Sequence, residues 1–300
     1  MSDPSSSHRA HLHPPAAAVR EAVARALAED LLPMGDLTTA LLPPEAEGAG
    51  AFVARGPGVL AGRACVAETF AQLGGEVEVR FELDDGDRLA PGRALATVAG
   101  PLGQLLVAER TALNFLCHLS GVATLTRQFV DAAAARNPAT RIWDTRKTTP
   151  GLRALEKAAV RAGGGVNHRG SLSEGVLVKD NHLAGLGITE AVARARSLWP
   201  GRMIEVECDR IDQVKEAVVA GATLVLLDNM TPEQVAACAA LVRAQGGGAL
   251  VEVSGGVTLE SVGDLAAAGA DLISAGVLTH SAPAVDIGLD LDGVTAGGGD

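Results

Sequence analysis

Cysteine is scarce in this chain of 300 residues, and its four copies lie far apart in the sequence. Cys65, Cys117, Cys208 and Cys238 form no Cys-x-x-Cys pair. This spacing argues against a zinc knuckle and against a disulfide framework, both of which need closely spaced or regularly paired cysteines. We therefore expect reduced, mostly buried thiols and predict a cytoplasmic protein.

An excess of positive charge is also lacking, because the formal net charge is -11 at pH 7. Nucleic acids and anionic membranes select broadly basic surfaces, so this balance argues against both partners. No apolar run approaches the length that crosses a bilayer. Residues 1–15 are rich in Ser, His and Pro and lack the apolar core of a signal peptide. We predict a disordered tail there rather than a metal site made from His8, His11 and His13.

Lysine is rare, and three of the four lysines fall within residues 144–183. Elsewhere the chain almost always uses Arg as its surface cation, so lysines in one short segment indicate a chemical purpose. Together with nearby Arg and His they form a basic patch in an acidic protein, and a polyanion is its natural partner. The cations of this patch are Arg146, Lys147, Arg153, Lys157, Arg161, His168, Arg169 and Lys179.

The first part of the chain is predicted to form a small α+β domain over residues 16–120, because short alternating stretches and helical stretches are separated by turn residues. A helical pattern from 102 to about 136, interrupted near Ser120-Gly121, is predicted to join this domain to the next one. The predicted helices are 16–31 and 63–73, and the predicted strands are 51–55, 77–83 and 94–98.

After residue 141 strands and helices alternate, which predicts parallel strands with helical crossovers, in an open sheet or a barrel. The run Thr231-Pro232-Glu233-Gln234 carries an N-cap, a Pro at the first helical position and a capping-box Gln. The predicted strands are 141–143, 176–178, 203–206, 224–227, 250–253 and 272–275, and the predicted helices are 152–162, 188–199, 211–220, 231–245 and 259–268.

The ends of these strands favour the barrel. Each apolar strand ends on, or is followed by, a polar or flexible residue, and the carboxyl ends of barrel strands form the working face. An open sheet would concentrate such residues at one switch point instead. No Gly-x-Gly-x-x-Gly follows a first strand, and no Walker motif occurs. The strand-end residues are Asp144, Lys179, Glu207, Asp228, Ser254 and Gly276.

The anion-binding candidates are the cations on the predicted loops and strand ends. Arg binds a carboxylate or phosphate through a planar fork, and Lys offers a compact charge. For Arg153, Lys157 and Arg161, on the intervening helix, we prefer a solvated basic surface. The candidate set is therefore Arg146, Lys147, His168, Arg169 and Lys179.

Two strand-end carboxylates, Glu207 and Asp228, are candidates to bind magnesium beside a phosphorylated substrate, or to neutralise the nearby cations. Glu205 and Glu252 precede strand-end polar groups by two residues, so we expect them to point into the barrel as structural partners. Asn181-His182 and His118 are interpreted as structural. No Ser-His-Asp elbow and no nucleophilic Cys setting is visible.

Two late loops are predicted to bind a terminal phosphate, because glycine lets backbone amides approach an anion. They contain Ser254-Gly255-Gly256 and the segment from Gly276 to His280.

These motifs together resemble the quinolinate phosphoribosyltransferase family, over about residues 16–291. The motifs at 144–153 and 178–182 are the most specific. The matching segments are GDLTT at 35–39, ERTALN at 109–114, DTRKTTPGLR at 144–153, GGVNHR at 164–169, VKDNH at 178–182, EVE at 205–207, LDN at 227–229 and SGG at 254–256.

The resemblance implies an N-terminal α+β sandwich domain and an incomplete α/β barrel of the type II phosphoribosyltransferase kind. The domain boundaries expected are a tail at 1–15, domains at 16–120 and 121–285, and a segment at 286–300 that returns to the N-terminal domain and ends in a disordered tail. It also implies a homodimer that shares its active site across the interface.

The implied reaction converts quinolinate and phosphoribosyl pyrophosphate, with Mg2+, into nicotinate mononucleotide, pyrophosphate and CO2 in NAD biosynthesis. By this resemblance Lys179, Glu207 and Asp228 are the catalytic residues. Quinolinate would be held by Arg146, His168, Arg169 and Lys179, with Arg110 of the partner subunit; Lys147 would face the phosphorylated substrate, Glu207 and Asp228 the ribose and magnesium, and Ser254, Gly255, Gly276 and His280 the 5-phosphate.

One segment departs from the family pattern, because Gly170-Ser171 follows Arg169 where the family usually has a bulky residue. Three alternatives stay open: a related transferase acting on another small acid, a Schiff-base lyase with Lys179 as nucleophile, and a non-catalytic nucleotide-binding regulator. The intact set of Arg146, His168, Arg169 and Lys179 argues against the first.

Overall fold

The fold is described from a computed structural model, which describes residues 10–295 of the chain. The chain divides into two compact units. Within the described residues, unit 1 contains 10–125, 148–164 and 281–295, and unit 2 contains 126–147 and 165–280. The predicted boundary at 120/121 lies close to the end of the first part of unit 1 at residue 125. The segment 148–164, which was predicted to belong to the barrel, belongs to unit 1 instead.

Unit 1 is built on a four-stranded antiparallel sheet with the order β12-β1-β5-β3. The last strand, formed by the segment predicted to return to this domain, pairs with the first. Burial alternates along β1, where Phe52 and Ala54 are fully buried, so one face of the sheet carries the core. The strands are β1 Glu47–Ala54, β3 Glu78–Phe81, β5 Ala94–Pro101 and β12 Ile287–Thr295, and a separate pair joins β2 Gly58–Val59 and β4 Arg88–Leu89.

The helices of unit 1 include α1 Ala16–Leu31, α2 Arg63–Gln72 and α4 Arg153–Ala162. A single helix of 33 residues, α3 Leu102–Ala134, contributes residues to both units. The predicted break at Ser120-Gly121 is wrong. A Cβ atom on Gly121 would lie 2.2 Å from the Pro283 carbonyl oxygen, so this glycine allows a close backbone approach inside an unbroken helix.

Two further predictions differ from the structure of unit 1. Lys157, predicted on a solvated face, is buried, and Arg161 Nε donates a hydrogen bond to the His11 carbonyl oxygen at 2.6 Å. The structure gives Ala10–Leu12 as a 3-10 helix, so residues 10–12 of the predicted disordered tail adopt regular structure. Residues 1–9, including His8, and the predicted tail at 296–300 lie outside the described residues.

Unit 2 contains a six-stranded parallel sheet with the order β6-β11-β10-β9-β8-β7. Strands β7 to β11 are neighbours in chain order, and β6 follows β11, so the order is that of a barrel opened between β6 and β7. A doubly wound sheet would reverse its order in the middle, and the incomplete barrel is confirmed. The strands are β6 Arg141–Trp143, β7 Val176–Val178, β8 Ile204–Cys208, β9 Leu224–Asp228, β10 Leu250–Ser254 and β11 Leu272–Ser274.

Helices separate most of these strands, as the alternating pattern predicts. The helix after β9 begins as predicted, since Thr231 accepts from the Gln234 backbone N–H and donates its own N–H to the Gln234 side chain. Among residues 10–295 no helix has both the length and the apolar character needed to cross a bilayer. The helices of unit 2 after α3 are α5 Ile188–Leu198, α6 Ile211–Ala220, α7 Pro232–Ala244, α8 Val262–Ala267 and α9 Val277–His280.

Candidate active site

A cavity of about 330 Å³ lies at the carboxyl ends of the strands of unit 2. Most of the predicted site residues line it, so side chains from across the sequence meet at one mouth. The predicted residues in the lining are Arg146, Lys147, His168, Arg169, Lys179, Glu207, Asp228, Ser254 and Gly255.

Strand register explains why Lys179 meets Glu207. Val178 of β7 pairs with Val206 of β8, so the next residue of each strand lies at the same level. The Lys179 Nζ atom donates a short hydrogen bond to Glu207 Oε2. Glu207 therefore provides the counter-charge that a lysine in a barrel mouth requires.

A buried carboxylate, Asp144, fixes the turn that carries the next cations. Its Oδ1 accepts the His168 backbone N–H at 2.9 Å, and its Oδ2 accepts from Asn167 Nδ2 at 2.6 Å. Arg169 NH1 then donates to the Gly175 carbonyl oxygen at 2.8 Å. Asp144 follows β6 directly and is fully buried, so it organises the cavity wall without lining it.

The ring of His168 is enclosed by protein groups. Its centroid lies 4.4 Å from that of Trp143, with the planes tilted by 42°. Nδ1 accepts the Arg169 backbone N–H at 2.6 Å. Nε2 lies 3.0 Å from Glu205 Oε2 and 3.7 Å from Glu252 Oε2. Because Nδ1 accepts, the hydrogen-bond network assigns the ring proton to Nε2.

Glu205 and Glu252 are both fully buried, as expected for residues that point into the barrel. Burial raises the pKa of Glu252 well above its usual range, and the adjacent Glu205 charge acts in the same direction. Burial also lowers the pKa of Arg169 from its ordinary value; the Arg146 charge adds to this shift and Glu205 opposes it. Two neighbouring guanidinium groups that repel each other favour an anion between them.

The two glycine loops lie at the carboxyl ends of β10 and β11. Gly255 has φ +89°, and a Cβ there would lie 2.3 Å from Asn229 Oδ1, so only glycine fits. A Cβ on Gly276 would lie 2.9 Å from Lys147 Cδ and 3.1 Å from His280 Nε2. Gly276 and His280 therefore lie beside Lys147 but outside the lining of the cavity.

The carboxylates that could hold a magnesium ion are Glu207 and Asp228, since both line the cavity and neither is fully buried. Oxygen ligands at an open mouth suit Mg2+, which usually takes one or two carboxylates and keeps its other positions for phosphates and water. The donor set therefore fits the ion. Asp228 Oδ2 also accepts from Asn229 Nδ2 at 2.8 Å, which orients the carboxylate.

One predicted residue, Arg110, lies elsewhere: it is exposed on α3 in unit 1.

The two histidines that were interpreted as structural both contact protein groups. His182 Nδ1 accepts the Lys179 backbone N–H at 2.9 Å, and His118 Nε2 lies 2.8 Å from Glu156 Oε1 within unit 1.

Several lining residues were not predicted from the sequence. They precede the strand-end residues by two positions, and because side chains on one face of a strand recur every second residue, this spacing could have identified them. Thr145 is the exception and belongs to the loop after β6. The others are Leu177, Leu226 and Ser274, together with Glu252, which was expected to point inward without a role in the cavity.

Comparison with family models gives two matches that together cover most of the chain. Residues 36–120 match the model for the N-terminal domain of quinolinate phosphoribosyl transferase, and residues 122–290 match that for its C-terminal domain.

Individual relatives agree with this result. A carboxylating nicotinate-nucleotide pyrophosphorylase of Mycobacterium leprae is 43% identical over 91% of this chain and 97% of its own length. The human enzyme of that name is 41% identical, over 80% of this chain and 81% of its own length. The structure of the nicotinate-nucleotide pyrophosphorylase from Francisella tularensis superposes with a TM-score of 0.87 at 33% identity, covering 93% of this chain and 97% of that one. With both domain models and these relatives matched, the chain belongs to the quinolinate phosphoribosyltransferase family.

Proposed function

We propose that this protein transfers the phosphoribosyl group of phosphoribosyl pyrophosphate to quinolinate with loss of one carboxyl group. The products are nicotinate mononucleotide, pyrophosphate and CO2, and the reaction belongs to de novo NAD biosynthesis. The observation that carries the proposal is the convergence of Arg146, Arg169 and Lys179 on a single cavity that also contains Glu207 and Asp228.

The charges of the cavity suit a doubly acidic ring. Arg146, Arg169 and Lys179 supply cations for two carboxylates, whereas nicotinate would occupy only part of this set. Lys147 lies beside Gly276 and His280, so we assign these residues, with Ser254 and Gly255, to the phosphates of the second substrate.

Catalysis in this proposal consists of positioning and electrostatics, without a covalent nucleophile. As pyrophosphate leaves, positive character develops at the ribose carbon, and Glu207 and Asp228 stabilise it while the pyridine nitrogen attacks. The positively charged nitrogen of the pyridinium that forms stabilises the electron pair left on the adjacent ring carbon when its carboxylate departs as CO2, and a proton from water then takes the place of that carboxylate. The cations keep the ring oriented through both steps.

A magnesium ion would be held by Glu207 and Asp228, and when bound it would neutralise charge on the pyrophosphate.

We also propose a homodimer in which Arg110 of one subunit reaches the cavity of the other. The exposure of Arg110 on α3 supports this role. The proposed location is the cytoplasm, which the four free cysteines support.

The direct test is to incubate the purified protein with quinolinate, phosphoribosyl pyrophosphate and Mg2+ and to measure nicotinate mononucleotide by chromatography. The proposal expects product in equal amount to the CO2 released. Absence of product from folded protein, with both substrates shown to bind, would refute it.

A further inference from the structure

We propose that His168 is a positioning residue, which Glu205 holds through Nε2 so that Nδ1 fixes the backbone of Arg169 for substrate binding. The inference rests on the proposed function, in which Arg169 binds quinolinate. It differs from the role that the family resemblance implies for His168, which was direct contact with the substrate.

Both ring nitrogens of His168 already have protein partners. Nδ1 accepts the Arg169 N–H at 2.6 Å, and Nε2 lies 3.0 Å from Glu205 Oε2. The ring is buried and lies against Trp143. A neutral imidazole has one donor and one acceptor position, so no ring nitrogen is left to bind a carboxylate of the substrate.

The contacts of His168 continue to Arg169, a group that faces the proposed substrate. Asp144 accepts the His168 backbone N–H at 2.9 Å, while the His168 ring accepts the next N–H of the chain. The backbone on both sides of the His168 Cα is therefore fixed. Arg169 itself donates to the Gly175 carbonyl oxygen at 2.8 Å, which orients its guanidinium in the cavity wall.

Two carboxylates lie close to Nε2 of the ring. Glu205 and Glu252 are fully buried on strands β8 and β10, and both face Nε2. Buried carboxylates are costly unless they are paired or protonated. Glu205 Oε2 is the nearer of the two, at 3.0 Å from Nε2 against 3.7 Å for Glu252 Oε2, so Glu205 is the carboxylate that holds the ring.

The test uses tryptophan fluorescence and steady-state kinetics together. Trp143 and Trp199 are the two tryptophans of the chain. Trp199 follows the end of α5, is exposed and lies outside the lining of the cavity. In a Trp199→Phe background the emission reports Trp143, which contacts the His168 ring. Into this background we would introduce Glu205→Gln, and separately Glu205→Asp, which keeps the charge but shortens the reach to Nε2.

The matched control is Thr140→Val. Thr140 is buried in unit 2 just before β6, at the opposite end of the sheet from the cavity, and its Oγ1 donates to the Ala270 carbonyl oxygen at 2.7 Å. This substitution removes a buried hydrogen bond of the same unit without touching the network of His168.

We expect both Glu205 variants to shift the Trp143 emission and to raise the KM for quinolinate by about tenfold, with kcat and the KM for phosphoribosyl pyrophosphate changed much less. Thr140→Val should lower Tm and leave both KM values unchanged. His168→Gln, which keeps a donor at the ε position, should retain more quinolinate affinity than His168→Ala.

Unchanged emission and an unchanged KM for quinolinate in the folded Glu205 variants would overturn the inference. So would equal losses for both substrates, or a loss in Thr140→Val of the same size. Inactivity of the parent protein would instead contradict the proposed function, and the emission of Trp143 in the absence of substrate would still decide whether Glu205 positions His168.

Discussion

At the scale of single residues, Lys179 is the side chain on which the proposed chemistry depends most. It extends the end of β7 into the cavity and pairs with Glu207. We expect Lys179→Ala to lower kcat/KM for quinolinate by about 100-fold, as loss of one preorganised charged donor does. The measurement is steady-state turnover, with circular dichroism to verify the fold.

The control for Lys179→Ala is Lys215→Ala. Lys215 is exposed on α6, outside the lining of the cavity, and its loss should leave turnover unchanged. Near-normal turnover in Lys179→Ala would remove this lysine from the site.

The buried cysteines give a second prediction at this scale. Burial raises the pKa of the Cys65 and Cys208 thiols to about 12. Both groups stay protonated in the folded protein at pH 9, where free cysteine is largely thiolate. We therefore expect iodoacetamide to leave them unlabelled at pH 9 until urea unfolds the chain, as read by peptide mass spectrometry.

The sign of the pH effect on stability follows from the same shift. A raised thiol pKa favours the folded state at low and neutral pH, and this contribution is lost as the pH rises from the unfolded value towards about 12. Labelling of native Cys65 and Cys208 as fast as in urea would contradict the burial described for them.

The strand-end residues could be predicted at the residue scale, and the role of His168 could not. Lys179, Asp228 and Ser254 follow or end apolar runs, which is a local signal in the sequence. The contacts of His168 with Glu205 and Glu252 join three distant segments, and no local pattern specifies such a meeting.

At the scale of elements, α3 gives the sharpest prediction. Alanine has a higher helix propensity than glycine. A Cβ on Gly121, however, would lie 2.2 Å from the Pro283 carbonyl oxygen. We expect Gly121→Ala to reduce the free energy of unfolding by about 1–3 kcal/mol, as overpacking does. Urea denaturation followed by circular dichroism measures this change.

Gly103→Ala, in the first turn of the same helix, is the matched substitution. Its Cβ would meet a methyl group, Thr39 Cγ2, at 3.2 Å rather than backbone, so its effect should be much smaller. If Gly121→Ala were as stable as Gly103→Ala, the close approach at Pro283 would be wrong.

Element boundaries were predictable where the signal was local. The capping box at Thr231 involves groups within four residues, and the helix begins there as predicted. The break in α3 was predicted from intrinsic propensity, and a tertiary contact overrides that propensity. The helix Arg153–Ala162 was assigned a solvated basic face from its charges, whereas Lys157 is buried and Arg161 binds the carbonyl oxygens of His11 and His13.

At the scale of the whole molecule, the proposed shared site predicts complementation between inactive subunits. Mixing Arg110→Ala with Lys179→Ala subunits should restore roughly a quarter of the activity, because half of the random dimers are mixed and each has one intact site of two. Turnover after subunit exchange is the measurement. The control is a chain that carries both substitutions. Taken alone through the same subunit-exchange procedure, it should stay inactive.

If subunit exchange is verified and no activity returns, Arg110 lies outside the site of the partner subunit.

The exposure of Arg110 on α3 was not predictable from the motif at 109–114 alone. A helical pattern gives the position of a residue along the helix, but not the groups that its side chain contacts. The division into units was also only partly predictable, because the segment 148–164 lies between two strands of unit 2 in the chain and yet belongs to unit 1.

In the proposed reaction, the cations that line the cavity of unit 2 select a ring with two carboxylates. The most direct test compares quinolinate and nicotinate as acceptors, with phosphoribosyl pyrophosphate and Mg2+ at fixed concentrations. We predict nicotinate mononucleotide from quinolinate, with kcat/KM for nicotinate lower by at least about 100-fold, since nicotinate brings only one carboxylate to the cationic set of the cavity. Equal or faster turnover of nicotinate would contradict the account.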